Sequence, residues 1–381
     1  MRTLLALSLN NGWTVRTGDI SVAFLHAAAA KASKADLYMY PPKEFYNPED
    51  KIIWKLNKAI YGLRSSPKAW QNHLAEVLQQ LGLQRSTAEP NIYMTTSRDC
   101  FVLVYVDDLL FLGEEQTTNR LFTAIQQQLL LRPTGTLTPG NTVSFLGRNI
   151  TNRGDYYEIN LSDEYTTTLL REMNLHDSKP APGTAALKTP TAEHEQHLTA
   201  EEHAQFRRAV GKLQWMTYTR PDISYSTKEL ARSLQQPTTA DQQKLKHFLR
   251  YIKGTKHYKQ IIRPTVKIPP RSLPDLNVYV DSDWAGCKTT RKSTTGFVIT
   301  FLGATINYGS MATRIGSSRK AKHIDLKHLF IQQWIQHDYV QLIKIHTNDN
   351  PADIFTKYVS TETLQRHLQQ AGITFQQLNL H

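Results

Sequence analysis

The sequence predicts an α+β fold divided among more than one domain, and three observations carry this prediction. Short apolar or alternating runs bounded by turn residues predict strands that pair as hairpins. Residues 200–257 predict a mainly helical stretch. Two proline-rich stretches, 179–193 and 263–275, are typical of domain boundaries. The predicted domains are therefore residues 1–178, 179–262 and 263–381.

The charge of the chain predicts the kind of partner. The 381 residues include 45 Lys and Arg against 33 Asp and Glu, a formal net charge of +12. This excess favours a polyanionic partner, most simply nucleic acid, although membrane surfaces also attract cations. The two cysteines, Cys100 and Cys287, exclude a disulfide framework and a cysteine-rich zinc site. No apolar stretch approaches the ~18 residues that span a bilayer. We expect an intracellular protein without a membrane partner, and the sequence leaves open a cytoplasmic particle or the nucleus.

The first region begins with strands. "WTVRTGDISVAFLHA" (13–27) alternates and then becomes apolar, which predicts a buried strand that ends near Asp19. The low-complexity stretch 27–35 predicts a helical or flexible insert, and 37–42 predicts a short strand stopped by two prolines. A helix then begins at residues 65–67, where a serine N-cap precedes a proline in the first turn. Its buried face is predicted to consist of Trp70, Leu74, Val77 or Leu78, and Leu81.

The next element places two acids in an apolar run. "FVLVYVDDLLFLG" (101–113) predicts two strands joined by a turn that contains Asp107 and Asp108. A helix is predicted over 121–131, because Leu121, Ile125 and Leu129 share one face. The runs 143–150 and 156–162 predict a further hairpin.

The paired aspartates need a physical reason. Burying a carboxylate costs several kcal/mol, and two neighbouring carboxylates also repel each other. If the hairpin packs beside the first strand, Asp19 and Asp107 face one another. Divalent cations would stabilise that arrangement, because Mg²⁺ accepts one or two carboxylates together with substrate phosphates. Two such ions activate a 3′-hydroxyl and stabilise the leaving pyrophosphate. The alternative is a solvated turn, which two adjacent aspartates alone favour because short motifs match often by chance.

Longer blocks carry a resemblance over nearly the whole chain. Nine blocks occur in this order along the chain: "GDISVAFLHA" (18–27), "LYMYPP" (37–42), "KLNKAIYGLRSSPKAW" (55–70), "YVDD" (105–108), "FLGRNI" (145–150), "RRAVGKLQWMTYTRPDISYS" (207–226), "DSDWAGCKTTRKSTTGF" (281–297), "AKHIDLKHLFIQQWI" (321–335) and "NPADIFTK" (350–357). Their order resembles the reverse transcriptase and RNase H region of copia-type LTR retrotransposon Pol polyproteins. The resemblance implies a right-hand polymerase palm and a thumb or connection, followed by an incomplete RNase H-like α/β domain.

The resemblance also implies a role for each residue of the polymerase site. Asp19, Asp107 and Asp108 correspond to the catalytic triad, which holds two Mg²⁺ or Mn²⁺ ions with Asp108 as the least direct ligand. Phe24 corresponds to the bulky residue beneath the incoming sugar, which implies a preference for deoxynucleotides; its alternative is an ordinary core aromatic. Tyr61 and the following glycine, Gly62, correspond to the lining of the nucleotide pocket. The implied partners are an RNA template, a DNA primer and a dNTP, with the oligomeric state left open.

Two further segments resemble nucleic-acid contacts of the family. Residues 145–147 (Phe-Leu-Gly) resemble the hairpin that grips the primer end, and their alternative is plain strand packing. Four basic residues of the thumb and connection would contact phosphates without reading sequence. They are Arg207, Arg208, Lys212 and Arg220.

The RNase H resemblance is incomplete. Asp281 and Asp353 correspond to the first and last of four acids, but the segment that carries the second and third is missing between "TINYGS" and "MATRIG". No Glu occurs within 288–358, and Asp325 and Asp338 are more simply explained as solvated side chains. We therefore expect no nuclease activity. Cleavage of an RNA–DNA hybrid that is lost in Asp281→Asn would contradict this expectation.

Two functions stay open at this point. Family members begin with a basic fingers hairpin that would precede Met1, so we expect weak polymerase activity or none. The first function is a copia-type reverse transcriptase, and the second is a catalytically inactive retroelement remnant that binds nucleic acid. An unrelated metal-dependent phosphotransferase does not explain the order of the blocks.

Overall fold

The computed structural model describes residues 1–29, 36–47, 52–184, 196–269, 276–284, 293–312 and 340–371, with the isolated residues 49, 272, 274, 286 and 337. Its mixture of helices and strands confirms the predicted α+β fold. Two compact units are present: residues 3–158 with Met1 and 267–273, and residues 159–266 with Arg2 and 274–381. The predicted domain boundaries after residues 178 and 262 stay predictions. Several predictions lie wholly or partly outside the described residues: the insert 27–35, the linker 179–193, the block 321–335, Asp325 and Asp338.

A six-stranded sheet is the frame of the first unit, which also contains a two-stranded sheet and a hairpin. The strands are β1 (Thr14–Ile20), β2 (Tyr38–Met39), β3 (Trp54–Lys55), β4 (Leu83–Arg85), β5 (Ile92–Thr95), β6 (Cys100–Tyr105), β7 (Asp108–Gly113), β8 (Leu131–Thr136), β9 (Thr142–Phe145) and β10 (Arg148–Asn152). The main sheet has the order β4-β5-β6-β7-β1-β8, and β1 is antiparallel to both of its neighbours. Because β7 is buried on both faces, its sequence is an unbroken apolar run after Asp108. The predicted hairpin of β6 and β7 is confirmed.

The helices of the first unit cover this sheet. They are α1 (Arg2–Asn11), α2 (Ala23–His26), α3 (Ser66–Gln80) and α4 (Glu115–Gln126). The predicted start of α3 is confirmed, but the side chain of the N-cap residue Ser65 makes no capping hydrogen bond. Ser66 Oγ instead donates to the carbonyl of Ile60 at 2.6 Å. The predicted face of α3 is buried at Trp70, Leu74, Val77 and Leu78.

One predicted boundary was wrong. The helix expected over 121–131 is α4, which begins at Glu115 and ends at Gln126, and Leu131 already belongs to β8. The apolar positions that suggested the longer helix are all buried, although Leu129 lies beyond its end. The predicted pairing between the runs 143–150 and 156–162 is confirmed, because β10 is hydrogen-bonded to the strand Tyr157–Asn160. The first run also forms a hairpin by itself, as β9 and β10.

The second unit is built around helices and a smaller sheet. After β11 (Tyr157–Asn160), its elements are α5 (Asp163–Glu172), α6 (Ala200–Met216), α7 (Ser224–Ala231), α8 (Thr239–Gly254), β12 (Gln260–Ile262), β13 (Leu276–Ser282), β14 (Thr294–Phe301), β15 (Ala304–Ala312) and α9 (Thr361–Gln370). Strands β13, β14 and β15 form an antiparallel sheet in that order. The predicted helical stretch 200–257 is confirmed, and capping boxes begin α6 and α8. In the described part of the chain, no helix is both long and apolar enough to cross a bilayer.

Candidate active site

The three predicted catalytic acids lie together at one end of the main sheet. Asp107 lies in the two-residue turn between β6 and β7, and Asp108 is the first residue of β7. Asp19 lies near the end of β1, where it is the direct partner of Asp108 in the antiparallel ladder. All three side chains are half-buried. The local sequence explains this, because the apolar residues that follow Asp108 fix its strand in the core while the turn stays at the surface.

The acid cluster (Asp19, Asp107 and Asp108) brings three carboxylates together, with Arg132 opposite Asp19 in the ladder of β1 and β8. Burial raises the pKa of Asp108, and the neighbouring carboxylates of Asp107 and Asp19 raise it further. No Lys, Arg or His among the described residues forms an ion pair with any of the three. Keeping three carboxylates ionised so close together costs free energy because they repel one another, and a bound cation would offset this repulsion.

The acid cluster has the donor chemistry of a hard divalent cation, since carboxylate oxygens are the ligands that Mg²⁺ accepts. As the side chains stand, no group of three or more His, Cys, Asp or Glu residues within the described ranges is arranged to hold a metal ion.

The backbone of the turn is held on both sides. Val106, the first turn residue, has a φ of 54°, in the left-handed region that valine rarely adopts. Its carbonyl accepts a hydrogen bond from Nε1 of Trp70 at 2.6 Å. The carbonyl of the next residue, Asp107, accepts from the backbone N–H of Ile20 at 2.8 Å. The turn is thereby connected to both α3 and β1.

The residues predicted for nucleotide binding meet in one place. The rings of Phe24 and Tyr61 pack with their centroids 4.7 Å apart and their planes at 60°. Phe24 is half-buried against the core, whereas Tyr61 is 59% exposed. Gly62 has a φ of 95°, which only glycine adopts without strain. The structure thus offers an exposed aromatic surface in the same unit as the acid cluster.

The β9–β10 turn has the shape of a tight hairpin. Phe145 pairs with Arg148, so the turn consists of Leu146 and Gly147, which have φ values of 51° and 69°. Positive φ at both positions is typical of a type I′ turn. Phe145 is buried at 2% exposure, so strand packing explains this residue, and a primer contact stays a prediction for the exposed Gly147.

A cavity of about 640 Å³ opens beside the β6–β7 turn and was not predicted. Tyr105 and Val106 form part of its wall, and no carboxylate is among its lining residues in the described part of the chain. Its lining combines cations with aromatic rings, namely Arg64, Lys68, Arg85, Trp70, Tyr93 and Tyr105. This chemistry suits phosphates and stacked bases. The sequence feature that could have predicted this cavity is the pair of basic residues, Arg64 and Lys68, on either side of the start of α3.

The four basic residues predicted to contact nucleic acid divide into three kinds. Arg207 and Arg208 are exposed on α6. Lys212 Nζ pairs with Glu172 at 2.6 Å. The prediction for Arg220 was wrong, because this side chain is buried at 4% exposure. Its guanidinium bonds Asp222 through Nε and Nη2, at 2.9 and 2.7 Å, and therefore has no face left for a phosphate.

The same helix carries two surface features that sequence reasoning missed. Gly211 lies on the exposed side of α6, and a Cβ added there would meet nothing within 4 Å. Packing therefore does not require glycine, although glycine in a helix costs about 1 kcal/mol relative to alanine. Trp215, one turn further, is 40% exposed. Together with Arg207 and Arg208 they form a surface, hereafter the α6 surface, with positive charge, a smooth backbone and an aromatic ring. The glycine within a helical pattern was the signal in the sequence.

The two acids predicted for the RNase H site have hydrogen-bond or ion-pair partners within the protein. Asp281 lies on β13, and its Oδ2 accepts a hydrogen bond from Thr356 Oγ1 at 2.7 Å. The same hydroxyl lies 2.9 Å from the carbonyl of Asp353. Asp353 is 3% exposed and its Oδ1 pairs with Lys357 Nζ at 2.6 Å. The two acids lie in one neighbourhood, but hydrogen bonds and an ion pair satisfy their carboxylates. Their RNase H role stays a prediction.

Comparisons with known proteins agree with this arrangement. Residues 1–186 match the family described as "Reverse transcriptase (RNA-dependent DNA polymerase)". The chain is 25% identical to the Retrovirus-related Pol polyprotein from transposon RE1 of Arabidopsis thaliana, over 98% of this chain and 28% of that protein. It is 26% identical to the corresponding polyprotein from transposon TNT 1-94 of Nicotiana tabacum, over 94% of this chain and 31% of that protein. The chain thus spans less than a third of the length of these relatives.

A solved structure of a foamy viral protease-reverse transcriptase in complex with an RNA/DNA hybrid is similar at a TM-score of 0.45 and 13% identity, covering 94% of this chain and 42% of that one. Reverse transcriptases as a family use divalent metal ions. The family match covers the acid cluster, and the polyprotein relatives cover nearly the whole chain. The chain therefore contains a reverse transcriptase domain over residues 1–186 and is homologous over nearly its whole length to Pol polyproteins of copia-type transposons.

Proposed function

We propose that this chain carries an RNA-directed DNA polymerase site centred on Asp19, Asp107 and Asp108. The observation that supports this most strongly is their convergence from β1 and the β6–β7 turn without a cationic partner among the described residues. A structural role would favour a neutralised cluster, because unpaired charge near the core is costly. A catalytic role requires the opposite, namely carboxylates that stay available for metal ions.

Two Mg²⁺ or Mn²⁺ ions would be held by Asp19 and Asp107, with Asp108 the least direct ligand. When bound, such ions activate a primer hydroxyl and stabilise the charge on the leaving pyrophosphate. The protein's own part is to fix the carboxylates, and β1 and β7 do so as adjacent strands of a stiff sheet. The ladder between them sets the separation of Asp19 and Asp108 before any cation arrives.

Phe24 and Tyr61 would form the surface for the sugar and base of an incoming dNTP. Their packed rings, with centroids 4.7 Å apart, leave Tyr61 largely exposed to a ligand. An aromatic ring under the sugar leaves no room for a 2′-hydroxyl, so deoxynucleotides would be preferred. The glycine that follows, Gly62, lets the backbone turn there without a side chain in the way.

An RNA template and a DNA primer would contact two surfaces, one in each unit. In the first unit, the cavity beside the catalytic turn offers cations and aromatic rings. In the second unit, the α6 surface offers Arg207 and Arg208 for phosphates and Trp215 for stacking. The absence of a side chain at Gly211 lets a nucleic-acid backbone approach the helix closely. An intracellular location stays part of the proposal.

Primer extension on a homopolymer RNA template tests the polymerase. We propose that the wild-type chain extends a DNA primer with Mg²⁺ or Mn²⁺, at the low rate that the sequence predicts. Asp107→Asn should lose about 10³-fold of that rate, since a metal ligand is worth several kcal/mol. Glu115→Gln, a change at an exposed acid of the same unit, is the matched control and should leave the rate unchanged. Extension that survives Asp107→Asn, or a folded wild-type protein that extends nothing, contradicts the proposal.

The second candidate function is nucleic-acid binding without catalysis, which the α6 surface favours independently. Its test is the salt dependence of RNA–DNA hybrid binding. Replacing Arg207 and Arg208 by Ala should reduce the slope of log K against log salt by about 1.8, because each phosphate contact contributes about 0.9. Arg366→Ala, at an exposed arginine on α9, should leave the slope unchanged. An equal slope in the wild type and the double variant contradicts a role for this surface.

A further inference from the structure

We propose that Trp70 is a positioning residue that holds the catalytic turn in shape through its indole N–H. The inference deepens the proposed polymerase function and rests on it. Trp70 lies on α3, outside the acid cluster, and touches none of the three carboxylates by hydrogen bond. Its effect would pass through the backbone of Val106, the residue before Asp107.

The turn has an unusual residue where it is most strained. With Tyr105 paired to Asp108, the two turn residues are Val106 and Asp107, and the first has a φ of 54°. Glycine usually occupies such a position, since a β-branched side chain there costs of the order of 1–3 kcal/mol. The Val106 side chain is 45% exposed, so its own packing does little to offset that cost. Neighbouring groups must therefore hold the backbone.

Two hydrogen bonds do so, one at each carbonyl of the turn. Trp70 Nε1 donates to the carbonyl of Val106 at 2.6 Å, and the Ile20 N–H donates to that of Asp107 at 2.8 Å. The bond from Trp70 comes from a side chain, and the bond from Ile20 comes from the backbone. No other side chain of the described residues donates to either carbonyl. The donor is itself immobile, because Trp70 is 2% exposed within the core of the first unit.

The geometry separates this role from that of an ordinary core tryptophan. A buried indole needs an acceptor for its N–H, and any nearby carbonyl would satisfy that need. Here the acceptor belongs to the strained residue directly before a catalytic acid. Without the bond, Val106 is expected to relax toward negative φ, which would rotate the following peptide and displace the carboxylate of Asp107. Displacements of about 1 Å at a reacting group reduce rates by about 10²-fold.

The test begins with Trp70→Phe, which removes the N–H and keeps an aromatic ring. We expect the primer-extension kcat to fall by about 10–100-fold and the Mg²⁺ concentration for half-maximal rate to rise, with the Kd for an RNA–DNA hybrid unchanged. Leu78→Val, on the same buried face of α3, is the control for lost packing. It should lower thermal stability without changing kcat or the Mg²⁺ requirement. Equal effects of the two variants on kcat would overturn the proposal.

A second variant examines the strain directly. Val106→Gly allows the turn to keep its positive φ without help, because glycine adopts that region freely. Trp70→Phe should therefore reduce kcat much less in the Val106→Gly background than in the wild type. A double-mutant cycle measures this coupling. Additive effects would show that Trp70 acts only by filling space, and would overturn the proposal even if each variant folds less well.

A readout without catalysis separates this inference from the polymerase proposal. Hydrogen exchange measures the stability of the turn at two amides. The amide of Ile20 donates to the carbonyl of Asp107, and the amide of Asp108 belongs to the first residue of β7. In Trp70→Phe both should exchange about tenfold faster or more, whereas Val102 and Leu110 within the strands should not change. Unchanged exchange at Ile20 and Asp108 overturns the positioning role. A wild-type chain that extends no primer refutes the polymerase proposal alone and leaves the exchange result to decide this one.

Discussion

Asp222 of the helical unit is buried and Asp108 of the main sheet is half-buried, and the charged groups around the two acids are of opposite sign. Asp222 accepts two hydrogen bonds from Arg220, at 2.9 and 2.7 Å, and a third from the hydroxyl of Tyr251 at 2.8 Å. Asp108 has two further carboxylates beside it, those of Asp107 and Asp19, and its pKa is raised. One acid is fully paired and the other is surrounded by like charge.

The difference separates an acid with a structural role from one that we propose to be functional. The network at Asp222 is complete, since Arg220 also donates to the carbonyl and hydroxyl of Thr255. A complete buried network rigidifies the fold around it. Among the described residues the acid cluster has no such ion pair, and the pairing of β1 with β7 fixes the backbone that carries it. Asp353, paired with Lys357, resembles Asp222 in this respect, which weakens the case for it as a free metal ligand.

The largest expected effect comes from removing the cation that pairs with Asp222. Arg220→Met should reduce the free energy of unfolding by about 3–5 kcal/mol, because it leaves the buried carboxylate of Asp222 without its cation. Urea unfolding followed by circular dichroism measures the change. Lys212→Met removes a cation from a more exposed pair with Glu172 and should cost less than about 1 kcal/mol. A loss at Arg220 as small as that at Lys212 would contradict a structural role for the pair.

Arg220 also shows where sequence reasoning reaches its limit. Its position in "TRPD" and its charge suggested a phosphate contact, and a neighbouring Asp222 was visible in the sequence. The contact that completes its burial comes from Thr255, 35 residues away, on the turn after α8. No local pattern predicts such a contact. The exposure of Arg207 and Arg208 on α6 depends on local helix geometry, whereas their contact with phosphates is implied by the resemblance and stays a prediction.

The acid cluster was predictable for a related reason. An apolar run interrupted by Asp107 and Asp108 indicates a hairpin, and a strand that ends at Asp19 can pair beside it. The observed ladder confirms the pairing of the strands, but it places Asp108 opposite Asp19, where the sequence predicted Asp107. The support from Trp70 was not predictable in the same way. Its helical spacing indicated a core residue, which it is, but a periodic pattern carries no information on where an indole N–H points. Patterns predicted which residues are buried, whereas the partners of their polar atoms depend on tertiary packing.

The smallest expected effect comes from Asp108, where the substitution is expected to raise stability and not to lower it. Because burial and two neighbouring carboxylates raise the pKa of Asp108, the folded state binds a proton more tightly than the unfolded state does. Stability therefore falls as the pH rises from the ordinary Asp range through the raised pKa. Asp108→Asn removes the charge, so we expect a higher Tm than the wild type at pH 7. The difference should shrink as the pH falls below about 4, where the wild-type carboxyl is protonated in both states.

Thermal unfolding over a pH series measures this difference, with Glu115→Gln as the control at an exposed acid. Mg²⁺ should narrow the gap at pH 7, because a bound cation offsets the repulsion in the wild type and binding to the folded state adds stability. Asp108→Asn that is less stable than the wild type at pH 7 would mean that an unrecognised partner neutralises the cluster. A gap that persists unchanged in Mg²⁺ would mean that the repulsion among these carboxylates is not relieved by a cation, and the reason to regard them as a metal site would be lost.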